Sequence, residues 1–473
     1  MKGIKTFQRQ WDLLTLRPIR WLVSSPAIPL ALQIVTLLAA GALVAVGLGV
    51  GLGVPPQWLA TLRRTNLATL VVWGLWWPGV LALTLVAGRL WCTICPLELL
   101  QRLGDAAARR VGWPRAALGP FQRQGWLALA LYGALLALVF GIATHRVPHF
   151  TALVLLSLAG LAFITGLAIR EPRSFCRSLC PLTLLLRVYG RFAPWQLDRH
   201  DPAVCKTCAS RDCVAEENRY RFDGRSCPSR LIPYQRAPTD DCVLCLQCVK
   251  ACPHENLGFG QPSAKSRLRA RALFSTAEAA FVILAFGFVA REILGDVPAV
   301  RAALGTLIAR LHRLVPTLDR GWIEALLYLV IAPGALFVGV VAAARLVSPG
   351  QRLRTLLLAA AASAAPVVAL AHVGKGLAKA MASVGFIPLA VIDPRGLRTC
   401  QRIVDKALSA PRPLPGLASL RWAVVAVGLL VLVRTLRAVR AAPAELRAAG
   451  FAGLVVTGVI YLPLLLAWAL SPL

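Results

Sequence analysis

The chain has 473 residues, 57% of them hydrophobic and only 15% charged, where an ordinary soluble enzyme carries about a quarter charged residues. Its formal net charge is +31, but the arginines fall between apolar runs rather than on one soluble face. The charge therefore reads as membrane orientation, and nucleic-acid binding is set aside.

Residues 1–25 interleave Lys2, Lys5, Arg9, Arg17 and Arg20 with Trp11, Leu13, Leu14, Ile19, Trp21 and Leu22. This is the make-up of an amphipathic segment at a membrane interface. Its basic region is too long for a cleaved signal peptide, and the apolar run that follows reaches Val50. The first span is expected over about 27–50, entering from the cytoplasm. The second covers about 66–88 and ends in Gly88-Arg89-Leu90-Trp91-Cys92-Thr93-Ile94-Cys95-Pro96. Spans three and four, about 125–144 and 150–170, are joined by the turn His145–His149 and lead to Arg173-Ser174-Phe175-Cys176-Arg177-Ser178-Leu179-Cys180-Pro181. Two spans separate the Cys92 pair from the Cys176 pair, so both are expected on one side of the membrane.

Residues 191–268 form the sizeable polar insert, with eight of the thirteen cysteines. Cys242-x2-Cys245-x2-Cys248-x3-Cys252-Pro253 has the spacing of a bacterial [4Fe–4S] ferredoxin run, in which the cysteine before proline ligates the other cluster of a pair. The earlier group is looser: Cys205-x2-Cys208-x4-Cys213-x13-Cys227-Pro228. Cross-ligation assigns cluster one to Cys205, Cys208, Cys213 and Cys252, and cluster two to Cys242, Cys245, Cys248 and Cys227. Zinc also favours C-x2-C pairs, but its modules seldom close two quartets with Cys-Pro. Disulfides are disfavoured because the insert should face a reducing compartment. Two clusters can act as the core that so short a segment lacks.

Five further spans are expected at about 272–293, 323–344, 353–373, 419–436 and 451–470. The segment 374–418 resists the resulting topology. It would lie outside, yet it carries Lys375, Lys379, Arg395, Arg398, Arg402, Lys406 and Arg412 against Asp393 and Asp405. Either residues 383–392 form a re-entrant or extra crossing, or the basic loop serves a purpose outside.

Cys92, Cys95, Cys176 and Cys180 put four thiols at one membrane face. They suit a third cluster or a redox-active dithiol site, against a packing role. His372, Lys375 and Lys379 share one helix face at a depth where ionisable groups are functional candidates, so His372 and Lys375 are candidate contacts for a quinone or a partner. The competing reading is snorkelling lysines beside an interfacial histidine. Haem would need His145, His149 and His372 to face one another across a bundle, which nothing in the sequence indicates. His254, after Pro253, would tune cluster two, against a plain surface histidine. Cys400 reads as structural. No nucleotide motif or hydrolase triad stands out.

With Gly88-Arg89-x2-Cys92-x2-Cys95-Pro96, Phe175-Cys176-x3-Cys180-Pro181 and the double ferredoxin run in this order, residues 65–265 resemble the membrane polyferredoxins of the NapH, NosR and MauN type. The first pair has two intervening residues where that family usually has three, and residues 270–473 have no counterpart. The resemblance implies electron transfer with a respiratory or maturation partner, often to or from the quinone pool. The expected fold is an α-helical polytopic membrane protein with a small α+β bis-[4Fe–4S] ferredoxin-like insert. In chain order it has an N-terminal membrane domain (1–190), the insert (191–268) and a C-terminal membrane domain (269–473). It is expected in a bacterial inner membrane with the insert facing the cytoplasm, as the electron-transfer component of an oxidoreductase system. A redox-sensing membrane regulator, whose clusters report rather than conduct, is the alternative.

Overall fold

The computed structural model describes residues 12–229, 231, 242–261 and 274–471. Residues 1–11, with Lys2, Lys5, Arg9 and Trp11, lie outside that set. Among the described residues, seven helices are long and apolar enough to cross a bilayer: Ala27–Gly47, Leu67–Ala87, Pro148–Ala168, Arg320–Val347, Leu353–Ile392, Leu417–Arg440 and Ala444–Leu470. At about 1.5 Å per residue, some twenty residues match a hydrocarbon core roughly 30 Å thick. The predominantly helical chain is thus consistent with a multi-pass membrane protein.

The other two expected spans are also helices, and each falls short for a physical reason. Trp126–Gly141 is apolar throughout but has 16 residues. Thr276–Leu294 has 19 residues but includes Glu278, Arg291 and Glu292. A further amphipathic helix, Pro298–Leu314, forms where no element was expected.

The chain packs into two compact units, one of residues 1–41, 83–128 and 157–273, the other of residues 42–82, 129–156 and 274–473. Both Cys-Pro segments and the insert belong to the first. There, β1 (Gln196–Arg199) and β2 (Leu257–Gly260) pair antiparallel, Gln196 opposite Gly260 and Arg199 opposite Leu257, and so bracket the eight-cysteine stretch. Asp12 ties the N-terminal segment to this ribbon. Its Oδ1 accepts from Leu14 N and Phe259 N, both at 2.9 Å, and its Oδ2 lies 3.3 Å from His200 Nε2. Leu14, Leu197, Leu244, Leu246 and Phe259 form the apolar core beneath.

Helix Pro96–Val111 and the end of helix Pro148–Ala168 meet at two glycines. A Cβ on Gly104 would stand 2.2 Å from the Phe163 carbonyl oxygen, and one on Gly166 would stand 2.0 Å from that of Gln101. Only glycine allows this backbone approach. The crossing matters because one helix follows Cys95 and the other leads to Cys176.

The second unit is built around helix Leu353–Met381, packed against Thr276–Leu294, Leu417–Arg440 and Ala444–Leu470. Its buried face is dense in alanine, including Ala360, Ala361, Ala364 and Ala365, which lets neighbours pack closely. The helix runs eight residues beyond the expected end at 373. Lys375 and Lys379 are therefore helical, not part of a basic loop. Residues 383–392 form the short helices Val384–Phe386 and Ile387–Ile392, whose Phe386 and Ala390 pack with Leu70.

Candidate metal centres

In the insert, Asp201 caps the short helix Pro202–Thr207, accepting from Ala203 N at 2.8 Å. That helix carries Cys205. Cys205, Cys208, Cys213 and Cys252 line one pocket, and Cys227, Cys242 and Cys248 line another beside Leu197, Asp198 and Arg199. Cys245 faces a third pocket but still interacts electrostatically with Cys242 and Cys227. Burial first, then the neighbouring Cys252, Cys205 and Cys208, pushes the Cys213 thiol up to about 12. Burial and Cys245 push Cys227 up to about 11. Among the described residues, no three His, Cys, Asp or Glu side chains stand close enough to hold a single metal ion. Sulfurs on a cluster ligate separate irons and so stand wider than around one ion. Four thiols facing one pocket fit such a group by donor chemistry. His254 is exposed and lines the Cys205 pocket, so its neighbour is the set assigned to cluster one and not cluster two.

Asn256, which the sequence did not single out, bridges the first set. It is buried, donates from Nδ2 to Cys205 Sγ at 3.2 Å and from its backbone N to Cys252 Sγ at 3.5 Å, and is held by Asp201 O at 2.6 Å. Donors to ligating sulfur stabilise the reduced state. With a cluster on the Cys205 set, Asn256→Ala is expected to lower its midpoint potential by roughly 20–60 mV, one net hydrogen bond in a one-electron couple. The potential of the Cys242 set should not move in the same EPR redox titration.

The two Cys-Pro pairs are built differently and meet in one place. The first sits on a tight 3-10 turn, Leu90–Thr93, with Cys92 N donating to Arg89 O at 2.9 Å. The second sits on a wide π turn, Phe175–Leu179, with Cys180 N donating to Phe175 O at 2.8 Å. These turns account for two intervening residues in one pair and three in the other. Each second cysteine is extended, as a residue before proline must be. Pro96 then starts a helix at the position where its missing N–H costs nothing.

Arginines clasp the pairs reciprocally. Arg89 donates to Cys176 O at 2.9 Å, and Arg173 donates to Cys92 O at 3.3 Å. Each arginine lies three residues before the first cysteine of its own pair. The same R-x2-C spacing thus serves both turns. Cys95 feels Cys92 and Cys180, and Cys176 feels Cys95 and Cys92, so the four thiols share one environment. Burial pushes the Cys95 and Cys176 thiols upward and Cys180 up to about 12.

Beside them Arg173 pairs with Glu98 at 3.6 Å, both about 95% buried. Gln33 donates to Glu98 at 2.6 Å and accepts from Arg102 at 2.7 Å. Burial opposes the Glu98 charge, but Arg173, then Arg102 and Arg225, outweigh it and hold the carboxyl below its ordinary range. The excess of cations suits an anionic thiolate centre.

In the second unit His372 and Lys375 line a cleft with Trp73, Trp77, His145, Phe288, Glu292 and Lys379. The His372 ring stands 6.0 Å from Trp77 and 5.7 Å from Phe288, centroid to centroid. Lys375 forms an ion pair with Asp296, which also accepts from Trp468 Nε1 at 2.9 Å. His149 instead serves the turn, accepting from Gly49 N at 3.0 Å. Cys400 is fully buried against Val50 and Leu62.

A family model for a 4Fe–4S binding domain matches residues 69–114 and 151–199. Each stretch takes in one Cys-Pro pair, and neither reaches the cysteines from 205 to 252. An uncharacterised protein of Methanocaldococcus jannaschii, MJ0749, is 24% identical over 184 residues, 38% of this chain and 67% of that one. No solved structure matches. The family match supports an iron–sulfur protein and suggests iron–sulfur electron transfer.

Proposed function

We propose that the chain is a membrane-bound iron–sulfur electron-transfer protein of the NapH, NosR and MauN type, serving a redox partner in a bacterial inner membrane. The observation that carries this reading is the family match on two Cys-Pro stretches whose four thiols share one buried site. Cys205, Cys208, Cys213 and Cys252 would hold one [4Fe–4S] cluster, and Cys242, Cys245, Cys248 and Cys227 a second. Cys92, Cys95, Cys176 and Cys180 would hold a further cluster or cycle as dithiols. Such a cluster supplies reversible one-electron exchange when bound. The chain contributes the rest: Arg89 and Arg173 fix the two loops and offset thiolate charge, while Asn256 donates to sulfur. In the second unit, the aromatic-walled cleft around His372 and Lys375 supports contact with a quinone head group, since such sites pair apolar walls with a few convergent polar groups.

The test is redox-titrated EPR on purified, anaerobic full-length protein with iron, zinc and haem analysis of the same sample. The proposal expects at least two iron–sulfur signals and iron well above four per chain, four being the content of a single [4Fe–4S] cluster. Stoichiometric zinc without iron would overturn it. Reporter fusions within residues 105–120 and 191–268 should both give cytoplasmic signals, and a periplasmic signal from the insert would reverse the orientation.

A further inference from the structure

The two families of cysteines do not stand apart. Thr93 lies between the thiols of the first Cys-Pro pair, and its hydroxyl donates to Leu244 O at 2.8 Å. Leu244 immediately precedes Cys245, and both Leu244 and Leu246 hold positive φ, 48° and 57°. Leucine rarely adopts that region, so the loop around Cys245 is fixed by its surroundings. Arg173 supports the same junction. It donates to Cys92 O and pairs with Glu98 at 3.6 Å. Thr93, Arg173, Gln247 and Cys245 line one pocket. The Cys205 pocket has no lining residue from either Cys-Pro segment, and Lys206, Arg211, His254 and Glu255 around it are exposed.

We infer that Cys245 is the thiol of the insert that adjoins the membrane-face thiols, with the Thr93–Leu244 hydrogen bond and Arg173 as the joint. The Cys205 set then faces outward, toward a soluble redox partner. Leu244 and Cys245 are consecutive, as are Cys92 and Thr93. One hydrogen bond thus closes a short path of bonds between two thiol sites whose cysteines are far apart in sequence. The inference rests on the reading that both sites hold iron–sulfur groups.

The test compares Thr93→Val, Cys180→Ser and Cys252→Ala with the parent, all as full-length protein. EPR at graded reduction reads magnetic interaction between centres, and rapid freeze-quench after dithionite reads how fast they equilibrate. Thr93→Val should keep every signal and its iron but equilibrate the insert with the membrane-face site several-fold more slowly. The Cys242–Cys245 signal should narrow in Cys180→Ser, which removes the membrane-face neighbour, and keep that neighbour's share of its width in Cys252→Ala. The opposite pattern, or parent-like rates in Thr93→Val, would overturn the joint while leaving the iron–sulfur reading intact. Absence of any iron–sulfur signal in the parent would instead sink that reading and this inference with it.

Discussion

Serine at Cys95 and serine at Cys180 are expected to abolish the same spectroscopic centre. The two residues come from different turns, one 3-10 and one π, and neither turn by itself presents four thiols. The reciprocal arginine contacts and the Gly104 and Gly166 crossing hold the turns together. A cluster deprived of one thiolate from either side loses a corner ligand. Iron should fall by about four per chain in each single variant and by no more in the double variant. A dithiol site would show the same coupling as a shared loss of thiol reactivity, with iron unchanged. If the cysteines only fill space, both variants retain the parent's iron, thiol titre and spectra. Separate, additive losses would make the pairs independent sites.

Alanine at Cys252 should remove the centre of the Cys205 set, and alanine at Cys227 that of the Cys242 set, against their order in the sequence. Cys252 lines the Cys205 pocket and interacts with Cys213, while Cys227 lines a pocket with Cys242 and Cys248. Each variant should lose about half of the iron bound by the insert, with one of two signals gone. Loss of the signal belonging to the nearer run in sequence would replace cross-ligation by local ligation.

The long apolar helices were legible because long apolar runs leave little alternative. The charges within 276–294 and the shortness of 126–141 were legible as well, but an apolar window blurs both. The eight cysteines of the insert announce themselves by spacing. The four of the Cys-Pro pairs do so less clearly, because their two turns differ by one residue, and the family match nevertheless falls there. What spacing could not give is the polar frame. Glu98, Gln33, Thr93 and Asn256 are unremarkable in sequence, and each has a partner 51 to 151 residues away in the chain. The extent of helix 353–381 was missed for a related reason. Its lysines share a helix face with His372, but they also open a basic run, and only Asp296, on another segment, shows the counter-charge that Lys375 meets.

The crossed arginines also set a timetable for biogenesis. Arg89 leaves the ribosome 87 residues before the carbonyl it will hold, so the first thiol pair is made long before its site can exist. The intervening hairpin, helices Trp126–Gly141 and Pro148–Ala168, has to be made before Arg173 can reach back. The four-thiol site is therefore complete only after that hairpin has been made, and a chain arrested before residue 173 carries Cys92 and Cys95 as an open pair.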